Sequence, residues 1–251
     1  LWHIVETRVR PERLEKSAAK YPRMVHEWWK HWNSRPDLYQ AIGDLDEVIG
    51  ISVVSKHAIP VLLPARAVLS SALVIFATSD PALLAFLASS VHRTWLMRWG
   101  STMQKDLRYT TTDVWMTLPL PKLSAAMVDF GVGLRAAQLQ AGNARGIGPT
   151  GVHSLVDDET CKDEDIQHIR EIIKQIDRAV IGAYGWRALA DEGVHGWGEY
   201  RNVVRFGFSS SFRERILNEL LRENRMRAEY QRRSTDSQVG GAAMLLDVEE
   251  T

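Results

Sequence analysis

A stretch of thirty residues, 92–121, gathers the side chains of this chain that are best suited to contact an anionic partner. It begins as a tryptophan-bearing helical pattern, passes through a polar loop and closes on two prolines. The loop carries Gln104, Lys105, Arg108 and Tyr109, followed by three threonines. A core helix needs no such loop, and a surface loop needs no such tryptophans. The arrangement predicts a polar edge that is held rigidly against something anionic.

The charge distribution favours the same kind of partner. The chain has 31 basic and 31 acidic residues, so its formal net charge is zero. Residues 56–110 nevertheless hold six Lys or Arg against two Asp, a net of +4. A local basic stretch in a neutral protein indicates a polyanionic partner. An ordinary solvated surface explains the same charges, and the sequence leaves both interpretations open.

Composition bounds the class of protein. The 251 residues suffice for one large or two modest domains, and 45% of them are apolar. No apolar run approaches the roughly 18 residues of a membrane span, and no signal segment opens the chain, which predicts no membrane partner and a cytoplasmic location. Cys161 is the single cysteine, so an internal disulfide is excluded. Because the chain opens at Leu1, we interpret it as a fragment of a longer polypeptide or a processed form.

The stretch must be positioned by elements of two kinds. Short β-branched, apolar runs predict three strands within residues 47–55, 58–64 and 72–79. Apolar spacings of three and four predict one helix over residues 82–99, stopped by Gly100. An extended piece is expected to end at the prolines.

Beyond Pro121 the pattern becomes helical and predicts no further strand. We therefore predict an α+β fold in which a small mixed α/β domain, residues 1–121, precedes an all-helical C-terminal domain, residues 122–233. Residues 234–251 are predicted to be a disordered tail. Each apolar stripe in the second domain returns every three or four residues.

Motifs that could indicate catalysis lack the context they require. Residues 146–151 fit G-x-G-x-x-G, but no strand precedes them and Pro149 interrupts the spacing. The acidic run 157–165 lacks the spacing of a nuclease metal site, and the histidines show no ligand spacing. No serine or cysteine stands in a nucleophile-elbow context, although sequence alone leaves a dispersed triad open. We predict no catalytic residue and no metal site.

Three blocks of sequence together resemble a known family. HRTWLMRWG…DLRYTTTDVWMTLPLP (92–121), GPTGVHSLVDDET…AVIGAYGW (148–186) and RFGFSSSFRERILNELLRENRMRAEY (205–230) occur here in order. They are similar to the C-terminal part of bacterial DNA adenine-N6 methyltransferases of the MmeI-like and DISARM types, over about residues 1–232. Leu118 and Leu120 depart from the family pattern, as does the segment 153–155; we interpret these as packing changes.

The resemblance implies a target-recognition domain for double-stranded DNA within a restriction-modification or phage-defence enzyme. S-adenosylmethionine and the Asp/Asn-Pro-Pro-aromatic motif would belong to a methyltransferase domain upstream in the same polypeptide, so this chain alone is expected to be inactive. Arginine and lysine read guanine, glutamine reads adenine, and threonine methyls meet thymine. The predicted DNA contacts are Lys56, Arg66, Arg93, Ser101, Gln104, Lys105, Arg108, Tyr109, Thr110 and Thr111.

Two other functions remain open at this stage. The helical half could be a protein-interaction scaffold, in which case the strands never touch DNA. A stand-alone enzyme with a dispersed site is the third possibility. The basic stretch around the polar loop favours the DNA-binding hypothesis, because a scaffold does not require it.

Overall fold

The computed structural model of the chain describes residues 1–30, 35–103, 106–192, 195–200 and 203–246, with side chains as far as residue 233. The chain divides into two compact units, residues 1–44 and residues 45–251. The division predicted from sequence, near Lys122, does not coincide with this one.

The first unit is helical and carries a cluster of tryptophans. Its helices are α1 (Trp2–Ile4), α2 (Arg10–Leu14), α3 (Pro22–His26) and α4 (Pro36–Ile42), with a π-helical turn at Val5–Val9 between the first two. The rings of Trp2 and Trp28 lie 5.6 Å apart, and Trp28 meets Trp29 edge to face at 5.7 Å. The guanidinium of Arg10 stacks over Trp28 at 5.3 Å. These contacts explain why so many aromatic residues stand near the start of the chain.

The strands of the second unit form two small sheets and a hairpin. They are β1 (Glu47–Ser52), β2 (Val54–Ser55), β3 (Val61–Pro64), β4 (Leu73–Phe76), β5 (Ser101–Met103), β6 (Asp106–Arg108), β7 (His195–Tyr200) and β8 (Val203–Phe208). One sheet has the order β3-β1-β4, the next β2-β6-β5, and β7 pairs with β8; all pairings are antiparallel. The three predicted strand regions are confirmed, since their β-branched runs form β1 to β4.

The helices of the second unit are α5 (Pro81–Ala88), α6 (Ser90–Trp99), α7 (Ala125–Arg145), α8 (Pro149–Val156), α9 (Glu164–Ala183), α10 (Arg187–Glu192) and α11 (Ser210–Leu246). A π-helical turn, Thr111–Trp115, stands where an extended piece was predicted. In the described part of the chain, no helix combines the length and the apolar character needed to cross a membrane.

One continuous core joins the two halves that the sequence analysis separated. Helix α5 is buried along its whole length, and α7 and α9 pack around it. Buried side chains from α6, α9 and α11, among them Trp95, Ile176 and Leu220, belong to the same cluster. The composition changes near Lys122 because strands give way to helices, and this change does not mark the edge of a core.

A serine divides the helix that was predicted over residues 82–99. Ser89 is extended, with ψ near 154°, and its hydroxyl caps α6 by accepting the N–H of His92 at 3.1 Å. The first N–H of α6, on Ser90, is buried and has no partner within the helix; it donates to Asp177 Oδ1 at 2.6 Å. The apolar pattern continues across the break, so the sequence predicted one helix where the structure has two.

The α+β class is confirmed, but the second half is not all-helical. Strands β7 and β8 pair over six residues each, from His195 opposite Phe208 to Tyr200 opposite Val203. The hairpin was missed because glycines and polar residues interrupt its apolar alternation. Helix α11 continues to Leu246, so it enters the segment that was predicted to be a disordered tail. Residues 247–251 lie outside the described part.

A close helix crossing supports our first prediction. A Cβ added to Gly131 on α7 would lie 2.0 Å from the carbonyl oxygen of Pro81 at the start of α5, whereas one added to Gly133 meets nothing within 4 Å. We expect Gly131→Ala to destabilise the fold by about 1–3 kcal/mol, because the backbones must separate. Gly133→Ala should instead stabilise it by about 0.5–1 kcal/mol, since alanine favours a helix. Denaturant unfolding of both variants checks the pair; equal effects would contradict the crossing.

Candidate nucleic-acid interface

The sheet β2-β6-β5 presents a set of polar side chains on one face. Leu107, in the middle of β6, is buried, so its neighbours Asp106 and Arg108 point to the opposite, outer side. Ser101 lies directly opposite Arg108 in the register, and Met103 lies opposite Asp106. Side chains of directly paired residues share a face. We call this outer set, which consists of Ser101, Met103, Asp106 and Arg108, the hairpin face.

The back of this sheet is fixed in the core through Tyr109. Its side chain is 2% exposed, its N–H donates to the carbonyl of Val53 at 2.7 Å, and its hydroxyl lies 3.1 Å from His92 Nε2. Because His92 Nδ1 donates to the carbonyl of Leu87 at 2.7 Å, Nε2 is free to accept the tyrosine proton. Burial raises the pKa of Tyr109, which keeps this hydroxyl a donor. The predicted DNA contact by Tyr109 is therefore wrong, because the residue anchors the backbone next to Arg108.

The other residues of the His-Arg-x-Trp block also face inward. Arg93 is only 11% exposed at its side chain and donates to the carbonyl of Phe206 at 2.9 Å. Trp95 is buried, and its indole N–H donates to the carbonyl of Val114 at 3.1 Å. Arg93 was predicted to contact DNA, and this too is wrong, because the side chain is enclosed by β8 and α8 residues. The block is thus a packing motif that supports the hairpin.

The other residues that were predicted to contact DNA differ in how exposed they are to solvent. Those with exposed side chains are Lys56, Arg66, Ser101, Arg108 and Thr111. Thr110 is half-buried, and its hydroxyl has no hydrogen-bond partner among the described residues. Lys56 directly follows β2, at the edge of the hairpin sheet, whereas Arg66 follows β3 in the other sheet. Gln104 and Lys105 lie outside the described residues.

The structure adds two residues to the face that the sequence analysis did not name. Asp106 and Met103 are exposed beside Arg108 and Ser101. The signal was present in the sequence, because positions two apart on a strand share a face. It was overlooked because the polar segment was interpreted as a loop and not as a hairpin.

A buried ionic cluster lies behind the turn that follows β2. Arg205 Nη1 donates to Asp157 Oδ2 at 2.8 Å, and its Nη2 donates to the carbonyl of Lys56 at 2.7 Å. The second carboxylate oxygen of Asp157 accepts the N–H of Phe206 at 3.1 Å. Burial alone would raise the pKa of Asp157, but the positive charges of Arg93 and Arg205 hold it well below the usual range. The cluster ties α8 and β8 to the edge of the hairpin sheet.

Ser154, His57 and Asp157 are connected in the same order as the catalytic triad of a serine hydrolase, but the proton on the histidine is placed differently. His57 Nε2 lies 3.1 Å from Ser154 Oγ, and His57 Nδ1 lies 3.1 Å from Asp157 Oδ2. Arg205 Nη1, however, lies 2.6 Å from the same Nδ1, and an arginine can only donate. Nδ1 must then accept, which leaves the ring proton on Nε2, facing Ser154. His57 in this state cannot take the serine proton, so the arrangement argues against a dispersed catalytic triad.

The buried histidines give a prediction for pH. Burial lowers the pKa of His92 to about 4, and burial together with the charge of Arg93 lowers that of His153 to about 3. Since the ordinary value is near 6.5, the unfolded chain binds more protons below that pH, and stability falls as the pH falls. We expect a loss of about 2 kcal/mol for each histidine between pH 6.5 and pH 5. Denaturant unfolding across this range checks it.

A matched pair of variants tests the cause of that pH dependence. His153 is buried, and its Nε2 accepts a hydrogen bond from Gln138 Nε2 at 2.9 Å, whereas His168 on α9 is exposed. The pH dependence should flatten in His153→Gln and persist in His168→Gln. Equal behaviour of the two variants would show that burial of His153 is not the cause.

Fold and site together define a class of protein. The small sheet β2-β6-β5 is anchored on one side in a packed α+β core, and its β5-β6 pair exposes donors and acceptors on the other side. Its exposed polar groups therefore stand on strands whose backbone is fixed.

Comparison with known proteins finds one matching family model and a similar solved structure. Residues 8–122 match the family model of the MmeI target recognition domain. Among solved structures, the chain resembles the Type IIL restriction-modification enzyme MmeI in complex with DNA, with a TM-score of 0.61 and 14% sequence identity. The likeness covers 91% of this chain and 26% of the MmeI chain, so the chain spans about a quarter of that enzyme. No curated protein matches the sequence. The predicted resemblance to MmeI-like enzymes is confirmed.

Proposed function

We propose that this chain recognises a specific sequence in double-stranded DNA through the hairpin face. The observation that carries the proposal is the pairing of Asp106 and Arg108 on one exposed strand face whose other side is locked into the core by Leu107 and Tyr109. The major groove of B-DNA admits a two-stranded ribbon. A rigid ribbon there places its outer side chains against base edges.

The mixed charge of the face favours bases over phosphates. Arg108 can donate two hydrogen bonds to guanine O6 and N7, and Asp106 can accept one from the amino group of cytosine. A surface that only neutralises phosphates is expected to have an excess of cations, whereas here one carboxylate stands beside one guanidinium. Ser101, which can donate and accept, completes a set that discriminates between base pairs.

We further propose that the chain acts as part of a larger restriction-modification or phage-defence enzyme that methylates adenine at N6 in the bacterial cytoplasm. The methyl donor of that enzyme would be S-adenosylmethionine, and we assign its site to another part of the enzyme. A groove of about 370 Å³ beside β3 and α7 is lined mainly by apolar side chains and has no carboxylate for the donor's ribose hydroxyls or ammonium group. Methyl transfer is therefore assigned to a methyltransferase domain upstream in the same polypeptide.

A binding selection tests the proposal. The chain is incubated with a pool of duplexes that contain a random segment, and bound duplexes are recovered and sequenced over several rounds. Enrichment of one short duplex sequence supports the proposal. Recovery of unenriched DNA, or of no DNA, would overturn it in favour of a scaffold that binds protein.

A further inference from the structure

Helix α11 carries a row of arginines along one exposed face. Positions separated by three or four residues share a helix face, which places Asn218, Arg222, Arg225, Glu229 and Arg232 together with Arg233 at the margin. All of these arginines are exposed. We call Arg222, Arg225, Arg232 and Arg233 the arginine face.

Most of these arginines are not needed for the fold. Arg227, on the opposite side of the helix, donates to the carbonyl of Leu120 at 2.7 Å and pairs with Glu223. Within the described side chains, no hydrogen bond or ion pair involves Arg225, Arg232 or Arg233, and Arg222 pairs with Glu219 at a largely exposed site. Three of the four arginines are therefore not used by contacts among the described side chains, and the arginines outnumber Glu219 and Glu229, so the arginine face stays net positive.

The chemistry of the face favours an anion that presents two oxygens side by side. Every cation between residues 210 and 233 is an arginine, although a lysine would solubilise a helix equally well. The guanidinium forms two parallel hydrogen bonds with a phosphate, whereas an ammonium acts as a point charge. With a rise of about 1.5 Å per residue, the face extends over roughly 16 Å, enough for several phosphates of one backbone.

The position of α11 connects this face with the hairpin. Asn224 Nδ2 donates to the carbonyl of Thr117 at 2.6 Å, close after the hairpin in sequence, and α11 packs on α6, which ends just before Ser101. A groove of about 200 Å³ between α6 and α11 is lined by Arg98 and Arg213. Arg98 thus lies on the helix that leads into the hairpin, and Arg213 lies on the helix that carries the arginine face.

We propose that the arginine face binds phosphates of the same duplex whose bases the hairpin face reads. This inference rests on the proposed function and adds a second contact surface to it. The arginine face supplies affinity that is independent of sequence, and the hairpin face supplies the preference for one sequence.

The test measures binding to two fluorescent duplexes, the sequence enriched by selection and a scrambled one, between 50 and 200 mM salt. The variant Arg225→Gln/Arg232→Gln/Arg233→Gln should bind both more weakly by the same factor. The slope of its log affinity against log salt concentration should be shallower by about 2.7, which is about 0.9 for each arginine removed. Raising the salt fourfold should therefore weaken binding by the variant about 40-fold less than it weakens binding by the unmodified chain. Lys162→Gln/Lys174→Gln/Arg178→Gln removes the same charge from another surface and should keep the slope of the unmodified chain.

The outcomes separate the two proposals. An unchanged slope in the α11 variant, together with a preference that Arg108→Ala alters, would overturn the phosphate contact and leave the reading hairpin intact. Loss of preference in the α11 variant would also overturn it, since phosphate contacts carry no sequence information. If the unmodified chain shows no preference between the duplexes, the proposed function itself fails.

Discussion

Arg108→Ala is expected to reduce affinity for the preferred duplex by about 5- to 150-fold and to relax the preference at one base position. The estimate corresponds to the 1–3 kcal/mol by which a bidentate arginine discriminates its base. Arg108 is exposed, and its backbone is fixed between Val54 and Ser101 on the neighbouring strands. Binding to a panel of single-base variants of the preferred duplex measures the effect.

Two further variants show which kind of contact Arg108 makes. Arg108→Lys keeps the charge but loses the paired donors, so a residue that reads guanine should lose preference, whereas one that neutralises a phosphate should keep its affinity. Lys174→Ala, on α9, is the control for the loss of a cation and should change neither property. An unchanged site preference in Arg108→Ala would show that Arg108 does not read a base.

Asp157→Ala is expected to destabilise the fold by about 3–5 kcal/mol. Asp157 accepts from Arg205 and from the N–H of Phe206 and lies 3.9 Å from Arg93. Its removal leaves two arginines without their buried counter-charge, and breaking a buried pair costs far more than a surface pair contributes. Chemical denaturation measures the difference.

A surface aspartate provides the matched control. Asp165 also meets an arginine, Arg145, but the pair is partly exposed and Asp163 contacts the same guanidinium. Asp165→Ala should cost less than about 1 kcal/mol. If Asp157→Ala and Asp165→Ala lower the free energy of unfolding by comparable amounts, burial is not the reason why the cluster stabilises the fold.

The sequence predicted well those elements whose residue pattern lies within the element itself. The strands β1, β3 and β4 follow β-branched runs, and α9 follows an apolar stripe with acids at its start. The break at Ser89 depends on Asp177, 87 residues further along the chain, which accepts the N–H of Ser90. No local pattern contains that contact, so one helix was predicted in place of two.

The same difference between local signals and long-range contacts explains which features of the candidate site could be predicted. The exposure of Ser101 and Arg108 was predictable from a polar segment that follows a helix. The inward orientation of Arg93 and Tyr109 was not, because it depends on Phe206 and His92, which other elements bring into place. His57 and Asp157 stand 100 residues apart, so the buried cluster had no signal in the sequence at all.

Site-directed photo-crosslinking tests most directly whether the hairpin face touches DNA. Met103 on the hairpin face and Val132 on α7 are almost equally exposed, at 52% and 54%, and each can be replaced in turn by a photoreactive amino acid. The chain is then irradiated with the duplex that the selection enriches. We predict a cross-link to bases of the recognised sequence from position 103 and none from position 132. Cross-links from position 132 alone, or from neither position while the duplex stays bound, would contradict the account.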